Sequence, residues 1–233
     1  MALAGLLFDK DGTLIHFNAT WNPAMLSVLQ QQAKGNAAVL HRLATALDYD
    51  LETSAFHPKA AFVAGAWVDF GSDWAAALGQ TNDQAFENAT NTLLIEACLR
   101  TLAPVGAPVD IARRLTARGV LLGIATNDAE LAARHQAEAL GLTPHLSFVA
   151  GYDSGFKPKP APDMVQGFAR TIGTEPARIA MVGDSLHDME AARRAGAVAI
   201  GVLTGPLKRH EFAGHADHII DSIADLPDLM DRI

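Results

Sequence analysis

Four short apolar runs constrain this chain more than any other feature: Leu3–Phe8, Val120–Ala125, Ile179–Val182 and Val198–Leu203. Each lacks the polar alternation of a half-solvated strand, and each is closed by Gly, Asp or Thr. Continuous apolar strands of this kind belong in a parallel sheet with both faces covered. His145–Ala150 and Ala216–Ile220 are weaker strand candidates. Helical patterns lie between the runs, over Val109–Arg118, Asp128–Leu140, Pro162–Ile172 and Ser185–Ala195; the last three stop at Gly141, Gly173 and Gly196, which suit C-terminal caps. Strand and helix alternate from about residue 104 onward. The fold class this predicts is α/β, a doubly wound, Rossmann-like parallel sheet.

Residues 17–103 break that alternation. Asn22-Pro23 reads as an N-cap followed by Pro at the first helical position. Val39, Leu40, Leu43 and Leu47 form a stripe at helical spacing. A short helix is expected over Ser72–Leu78, and Thr81 or Asn82 is expected to cap a longer one running to about Thr101. No strand pair is apparent. The reading is an all-helical block inserted after the first strand: a core of residues 1–16 and 104–233, and a helical cap over the site from 17–103. Trp21, Trp67 and Trp74 are expected in the interior of that block.

Composition narrows the function. Eighteen Lys and Arg face 26 Asp and Glu, for a formal charge of -8. With no dense basic run, this disfavours a nucleic-acid partner, whose phosphates need clustered positive charge. The single cysteine, Cys98, leaves no intramolecular disulfide and fits a reducing compartment. The apolar start, Met1–Phe8, lacks a basic flank and a small-residue cleavage site, so it does not read as a secretion signal. No apolar stretch approaches the ~18 residues of a spanning helix. The expectation is a cytoplasmic protein with neither membrane nor nucleic-acid partner, monomeric or homodimeric.

Acidic residues stand at the ends of strands. Asp9 and Asp11, in Phe8-Asp9-Lys10-Asp11-Gly12-Thr13-Leu14, are spaced by two and point to one side of an extended segment at its carboxyl end, where open α/β sheets bind ligands. Two carboxylates held that close need a cation between them, or one of them is pushed up in pKa. After Ile179–Val182 comes Gly183-Asp184-Ser185-Leu186-His187-Asp188, which sets Asp184 at a strand end and Asp188 in the first turn of the next helix. A solvated turn and an N-cap are the competing readings of these two segments. Val120–Ala125 runs into Thr126-Asn127, a hydroxyl and an amide ahead of a helix N-terminus, which suits an anion. Gly155-Phe156-Lys157-Pro158-Lys159-Pro160 holds a lysine on a stiffened approach.

This ordered set, Asp-x-Asp, Thr-Asn, Lys-Pro and Gly-Asp-Ser-x-x-Asp, closely resembles the motifs of the haloacid dehalogenase-like superfamily, in particular its phosphatases of the phosphoglycolate phosphatase type. The resemblance covers residues 4–16 and about 104–222; it covers the insert only in position and size. It implies that Asp9 is the nucleophile that forms an aspartyl-phosphate and that Asp11 is the general acid and base. It implies magnesium held by Asp9, by the Asp11 main-chain carbonyl and by Asp184. Thr126 and Asn127 match the pair that binds the transferring phosphoryl oxygens. Lys157 matches the charge-neutralising lysine, because the family's Lys-Pro-x-Pro pattern starts there, although Lys159 could reach the same region. Asp188 would orient that lysine or a metal-bound water.

Lys10 departs from the family pattern, where an apolar residue is usual, although related P-type ATPases carry lysine at the matching place. Its side chain is expected to point away from Asp9 and Asp11; one reading has it contact the substrate or the cap, and the preferred one has it bury its stem and keep its head in water. Asn18, Thr20 and Trp21 are candidate substrate contacts. His210, His215 and His218 lack the spacing of a ligand pair and read as a surface segment. The function implied is magnesium-dependent hydrolysis of a small soluble phosphate monoester. The alternatives are a phosphomutase of the same superfamily and a non-catalytic binding protein that keeps the fold. A 2-haloacid dehalogenase lacks the second aspartate supplied here by Asp11. Phosphonoacetaldehyde hydrolase is disfavoured for the same reason, and it also needs a cap lysine, of which the insert has only Lys34 and Lys59.

Overall fold

The computed structural model of the chain describes residues 3–233; Met1 and Ala2, which begin the apolar start, lie outside them. The chain divides into two compact units, one made of the residues up to His16 with Pro104–Ile233, the other Phe17–Ala103. In chain order, β1 is Gly5–Phe8. The second unit follows, with α1 Phe17–Ala33, α2 Ala37–Ala46, β2 Tyr49–Asp50, β3 Ala55–Phe56, α3 Ala61–Ala64, α4 Trp67–Ala77 and α5 Gln84–Thr101. The first unit resumes with α6 Pro108–Thr116, β4 Leu121–Ala125, α7 Glu130–Ala139, β5 Leu146–Ala150 and α8 Asp163–Thr171. It closes with β6 Ile179–Gly183, α9 Leu186–Ala195, β7 Val198–Val202, β8 His218–Ile220 and α10 Leu226–Met230.

Six parallel strands form the sheet in the order β5-β4-β1-β6-β7-β8. β1 is therefore interior and buried on both faces. Leu6 and Phe8 point to one face, where they join Ile111 and Leu115 of α6 and Leu226 of α10. Leu7 points to the other, with Met164 and Phe168 of α8 and Met189 of α9. Period-2 alternation in a strand with helices above and below forces an uninterrupted apolar sequence. Each large apolar side chain so buried contributes roughly 1.5–3 kcal/mol. Register then fixes the site: Phe8 lies level with Ile124 on one side and Val182 on the other. The chain exits after β1, β4 and β6 thus emerge side by side where the strand order reverses, the usual ligand position of an open α/β sheet. At the edge of this region Ile15 bridges to Pro104, which places the departure and return of the inserted unit next to each other.

The inserted unit corrects three expectations. It is not all-helical, since β2 and β3 form a small antiparallel pair in which Tyr49 stands opposite Phe56 with ring centroids 5.1 Å apart. Asp50 nucleates the turn between them by accepting from the main-chain N–H groups of Glu52 and Thr53; strands of two residues carry no readable periodicity. Pro23 does not open a helix but lies inside α1. Burial of Thr20 and Trp21 brings the preceding turn into the helix, and a proline there forfeits one i→i−4 bond. The cap of α5 is Asp83, whose side chain accepts from Phe86 N at 2.9 Å, while Asn82 accepts from the Trp67 indole instead. Trp21, Trp67 and Trp74 are all buried. Among the described residues no helix is long and apolar enough to cross a membrane.

Candidate active site

Asp9 is the first residue past β1, and its N–H donates to Val182 O at 2.8 Å, so it is held as an extension of the sheet. The chain then turns back on itself: the Lys10 carbonyl accepts from Leu14 N and Ile15 N, and Gly12 adopts a φ of +82°. Glycine suits that left-handed conformation, and any side chain on Gly12 would also run into the Asp184 carboxylate. Gly205, in the loop after β7, is likewise confined by Asp184, and Gly183 by Asp188. Thr204 ties that loop to the first turn by donating from Oγ1 to Gly12 O at 2.6 Å. Nothing local in the sequence marks Thr204 or Gly205, because their partners lie far along the chain.

The lysine at the site is Lys159, not Lys157. Lys159 is buried, with Nζ 2.5 Å from Asp9 Oδ1 and 2.6 Å from Asp188 Oδ1, whereas Lys157 is exposed. Asn127 makes the choice. Its Oδ1 accepts from Lys159 N at 2.8 Å and its Nδ2 donates to Lys159 O at 2.9 Å, which draws that residue's main chain against the end of β4. The Lys-Pro-x-Pro pattern occurs twice in register, at Lys157-Pro158-Lys159-Pro160 and at Lys159-Pro160-Ala161-Pro162. The second copy is the one that enters the site. The Asn127 side chain, expected on phosphoryl oxygens, is thus engaged with the lysine segment.

Asp188 serves two roles with its two oxygens. Oδ2 accepts from Ser185 N and Ser185 Oγ, completing a capping box at the start of α9, and Oδ1 receives Lys159. The N-cap reading and the lysine-orienting reading therefore both describe this residue. Asp9, Asp184 and Asp188 converge, with one carboxylate oxygen from each lying within 4.8 Å of the others. Burial, with the charges of Asp188 and Asp11 adding to it, pushes the Asp9 carboxyl up to about 7 despite the opposing pull of Lys159. Burial followed by the Asp9 and Asp188 charges raises the Asp184 carboxyl well above its ordinary value. Lys159 moves the other way from a simple buried lysine: desolvation works against its charge, but Asp188 and Asp9 overcome it and hold its pKa above the ordinary value. Three buried carboxylates against one ammonium leave the cluster two negative charges in excess when ionised. That donor set fits a hard divalent cation. Since both Asp188 oxygens are engaged, Asp9 and Asp184 are the side chains best placed to bind one.

Thr126 is buried at the end of β4, and its Oγ1 accepts from Asp128 N at 3.1 Å. Lys10 contradicts the expectation of a wet head. It is 1% exposed, with Nζ 2.5 Å from Asp11 Oδ2 and 3.0 Å from Asp128 Oδ2. The expected outward path is ruled out by two anions that only the folded turn brings together. Thr20 and Trp21 also fall away from the substrate contacts, being buried within the inserted unit; Thr20 accepts from Ala103 N and Thr101 Oγ1 there. Asn18 is exposed, as are His210 and His215.

The family model for haloacid dehalogenase-like hydrolases matches residues 3–196. The chain is similar to the phosphoglycolate phosphatase of Rhodospirillum rubrum, 29% identical over 231 residues that cover 96% of this chain and 89% of that protein. It is 40% identical to the phosphoglycolate phosphatase of Chromobacterium violaceum over 105 residues, 45% of this chain and 46% of that protein, so the match spans less than half of that relative. Among solved structures, CbbY from Rhodobacter sphaeroides in complex with phosphate shares the fold with a TM-score of 0.71 at 21% identity, covering 96% of both chains.

Proposed function

Because the chain belongs to the haloacid dehalogenase-like hydrolases, we propose that it hydrolyses a small phosphate monoester through an aspartyl-phosphate on Asp9. The observation that carries this reading is the Asp9 carboxylate, buried at the end of the central strand and bonded through one oxygen to Lys159. A carboxylate in that position has a fixed direction of attack, and its charge is partly neutralised by Lys159. Asp9 attacks phosphorus, the ester P–O bond breaks, and Asp11 gives its proton to the departing alcohol oxygen. Water then attacks the phosphorus of the acyl phosphate, Asp11 takes the water's proton, and phosphate leaves with the Asp9 carboxylate restored. Lys159 holds charge off Asp9 and the incoming phosphoryl group, and Asp188 keeps that lysine aimed. Thr126, and Asn127 through its grip on Lys159, complete the phosphoryl side. Magnesium held by Asp9, Asp184 and the Asp11 carbonyl would supply further neutralisation of the phosphoryl oxygens.

Phosphoglycolate is the first substrate to try, on the strength of the two relatives with that name. The test is phosphate release from 2-phosphoglycolate, glycerol 1-phosphate, glucose 6-phosphate and p-nitrophenyl phosphate, with magnesium and with excess chelator, for wild type and Asp9→Asn. The reading expects magnesium-dependent release that Asp9→Asn abolishes. Isomerised sugar phosphate without phosphate release would instead identify a mutase, and inertness toward every ester would overturn the hydrolase reading.

A further inference from the structure

We propose that Lys10, braced by Asp128, is a positioning residue that sets the orientation of the Asp11 carboxyl group for proton transfer. The inference rests on the phosphatase reading and extends it to two residues that reading does not need. Lys10 follows the nucleophile and precedes the acid, yet its ammonium is folded back into the protein between two carboxylates, 2.5 Å from Asp11 Oδ2 and 3.0 Å from Asp128 Oδ2. Asp128 is itself fixed from three directions. Its Oδ1 accepts from Ala129 N at 2.7 Å, its N–H donates to Thr126 Oγ1, and its carbonyl accepts from Tyr152 N. The bridge therefore ties the turn after β1 to the loop after β4, the two segments that carry the acid and the phosphoryl-binding hydroxyl.

Burying an ammonium is costly, and a buried ion pair is a poor route to stability compared with apolar packing. An apolar side chain at residue 10 would fill the same space and would leave the Asp11 carboxyl to choose its own rotamer. What the lysine adds is a fixed direction for that carboxyl. General acid catalysis depends on the acid lying within hydrogen-bond reach of the departing oxygen, so a loss of direction is a loss of rate. In the cleavage step the ester P–O bond breaks as the Asp9 P–O bond forms, and the Asp11 proton ends on the alcohol. An alkoxide needs that proton; p-nitrophenolate, a weakly basic leaving group, departs nearly without it.

The experiment measures first-turnover cleavage, which isolates this step, for the best-hydrolysed alkyl ester of the panel above and for p-nitrophenyl phosphate. Lys10→Met should slow cleavage of the alkyl ester about 30-fold and of p-nitrophenyl phosphate less than about 5-fold, with KM shifted less than about 3-fold. Lys10→Arg should recover part of the loss, and Lys10→Met added to Asp11→Asn should cost nothing further. Equal losses on both esters, an unchanged rate, or additivity with Asp11→Asn would overturn the proposal. Lys10→Met/Asp128→Asn, which removes the cation and one of its anions together, reads the same ratio if the single variant fails to fold. If the wild type cleaves no ester, the phosphatase reading falls; if it cleaves both and the ratio does not move, only the role of Lys10 falls.

Discussion

Lys159→Met tests which lysine of the Lys-Pro-Lys-Pro segment belongs to the site, and the structure sets the size of the effect. Methionine keeps most of the apolar stem and deletes the ammonium. Two charge-assisted hydrogen bonds, 2.5 Å to Asp9 and 2.6 Å to Asp188, are lost. Each contributes about 1.5–3 kcal/mol, so their simple sum is about 3–6 kcal/mol. Asp9 recovers part of this by taking up a proton, which its raised pKa of about 7 makes easy near neutrality. Asp188 keeps its bonds to Ser185. The expected loss in the magnesium-free protein is therefore about 3–4 kcal/mol, within the range for breaking one side of a buried pair. Lys157→Met alters an exposed side chain and should stay within about 0.5 kcal/mol of wild type. Tryptophan fluorescence is the wrong readout, because Trp21, Trp67 and Trp74 all lie in the inserted unit. Amide hydrogen exchange of β1 and β6 reports directly on the unit that carries the lysine. In phosphate release Lys159→Met should lose at least about 100-fold and Lys157→Met less than about 2-fold. Equal effects of the two substitutions, or a Lys159→Met protein as stable and active as wild type, would refute the reasoning.

In the unfolded chain Asp9 ionises near 3.8, whereas in the folded protein it holds its proton to about 7, and Asp184 shifts in the same direction. The magnesium-free protein should accordingly lose stability as pH rises from about 4 to about 7, and added magnesium should flatten that slope in thermal unfolding. Asp188→Asn removes the ion pair with Lys159 and should reduce turnover about 10- to 100-fold while KM changes little, as steady-state kinetics would show. Gly205→Ala pushes a methyl group into the Asp184 carboxylate, so magnesium binding measured by calorimetry should weaken, with about 1–3 kcal/mol of destabilisation from the overpacking. Asp83→Ala removes the cap of α5 and should cost about 1 kcal/mol in the inserted unit, read by tryptophan fluorescence during denaturation.

The six-stranded core was readable because a strand buried on both faces leaves an uninterrupted apolar run, and Leu6, Leu7 and Phe8 have no solvated face to display. Asp9 and Asp184, which the fold brings together, were readable for a related reason: each is the polar residue that ends or follows such a run. What the sequence hid is what depends on distant partners. Two overlapping Lys-Pro-x-Pro copies are equivalent until Asn127, 32 residues away, grips one of them. Lys10 looks like a surface lysine until Asp128 arrives beside it. Gly205 is an ordinary loop glycine until Asp184 is placed against it. The β2–β3 pair escaped for want of length, since two residues show no alternation.

The position of β1 also has a consequence for how the protein is made. Gly5 pairs with Leu121 on one side and with Ile179 on the other, so β1 is synthesised well before either of its partners. At about 5–20 residues per second, on the order of ten to thirty seconds separate the synthesis of Phe8 from that of Val182. Through that interval Gly-Leu-Leu-Phe has both hydrogen-bonding edges open, and the Asp9–Lys159–Asp188 cluster has not yet assembled. Because Ile15 bridges to Pro104, compaction of the chain between them shortens the effective loop that β1 and β4 must close. A chain cut short before β6 would carry Asp9 and Asp11 without the Asp184 and Asp188 carboxylates that converge on Asp9. The Asp9 carboxylate therefore waits for most of the described sheet to be made before its lysine and carboxylate neighbours arrive.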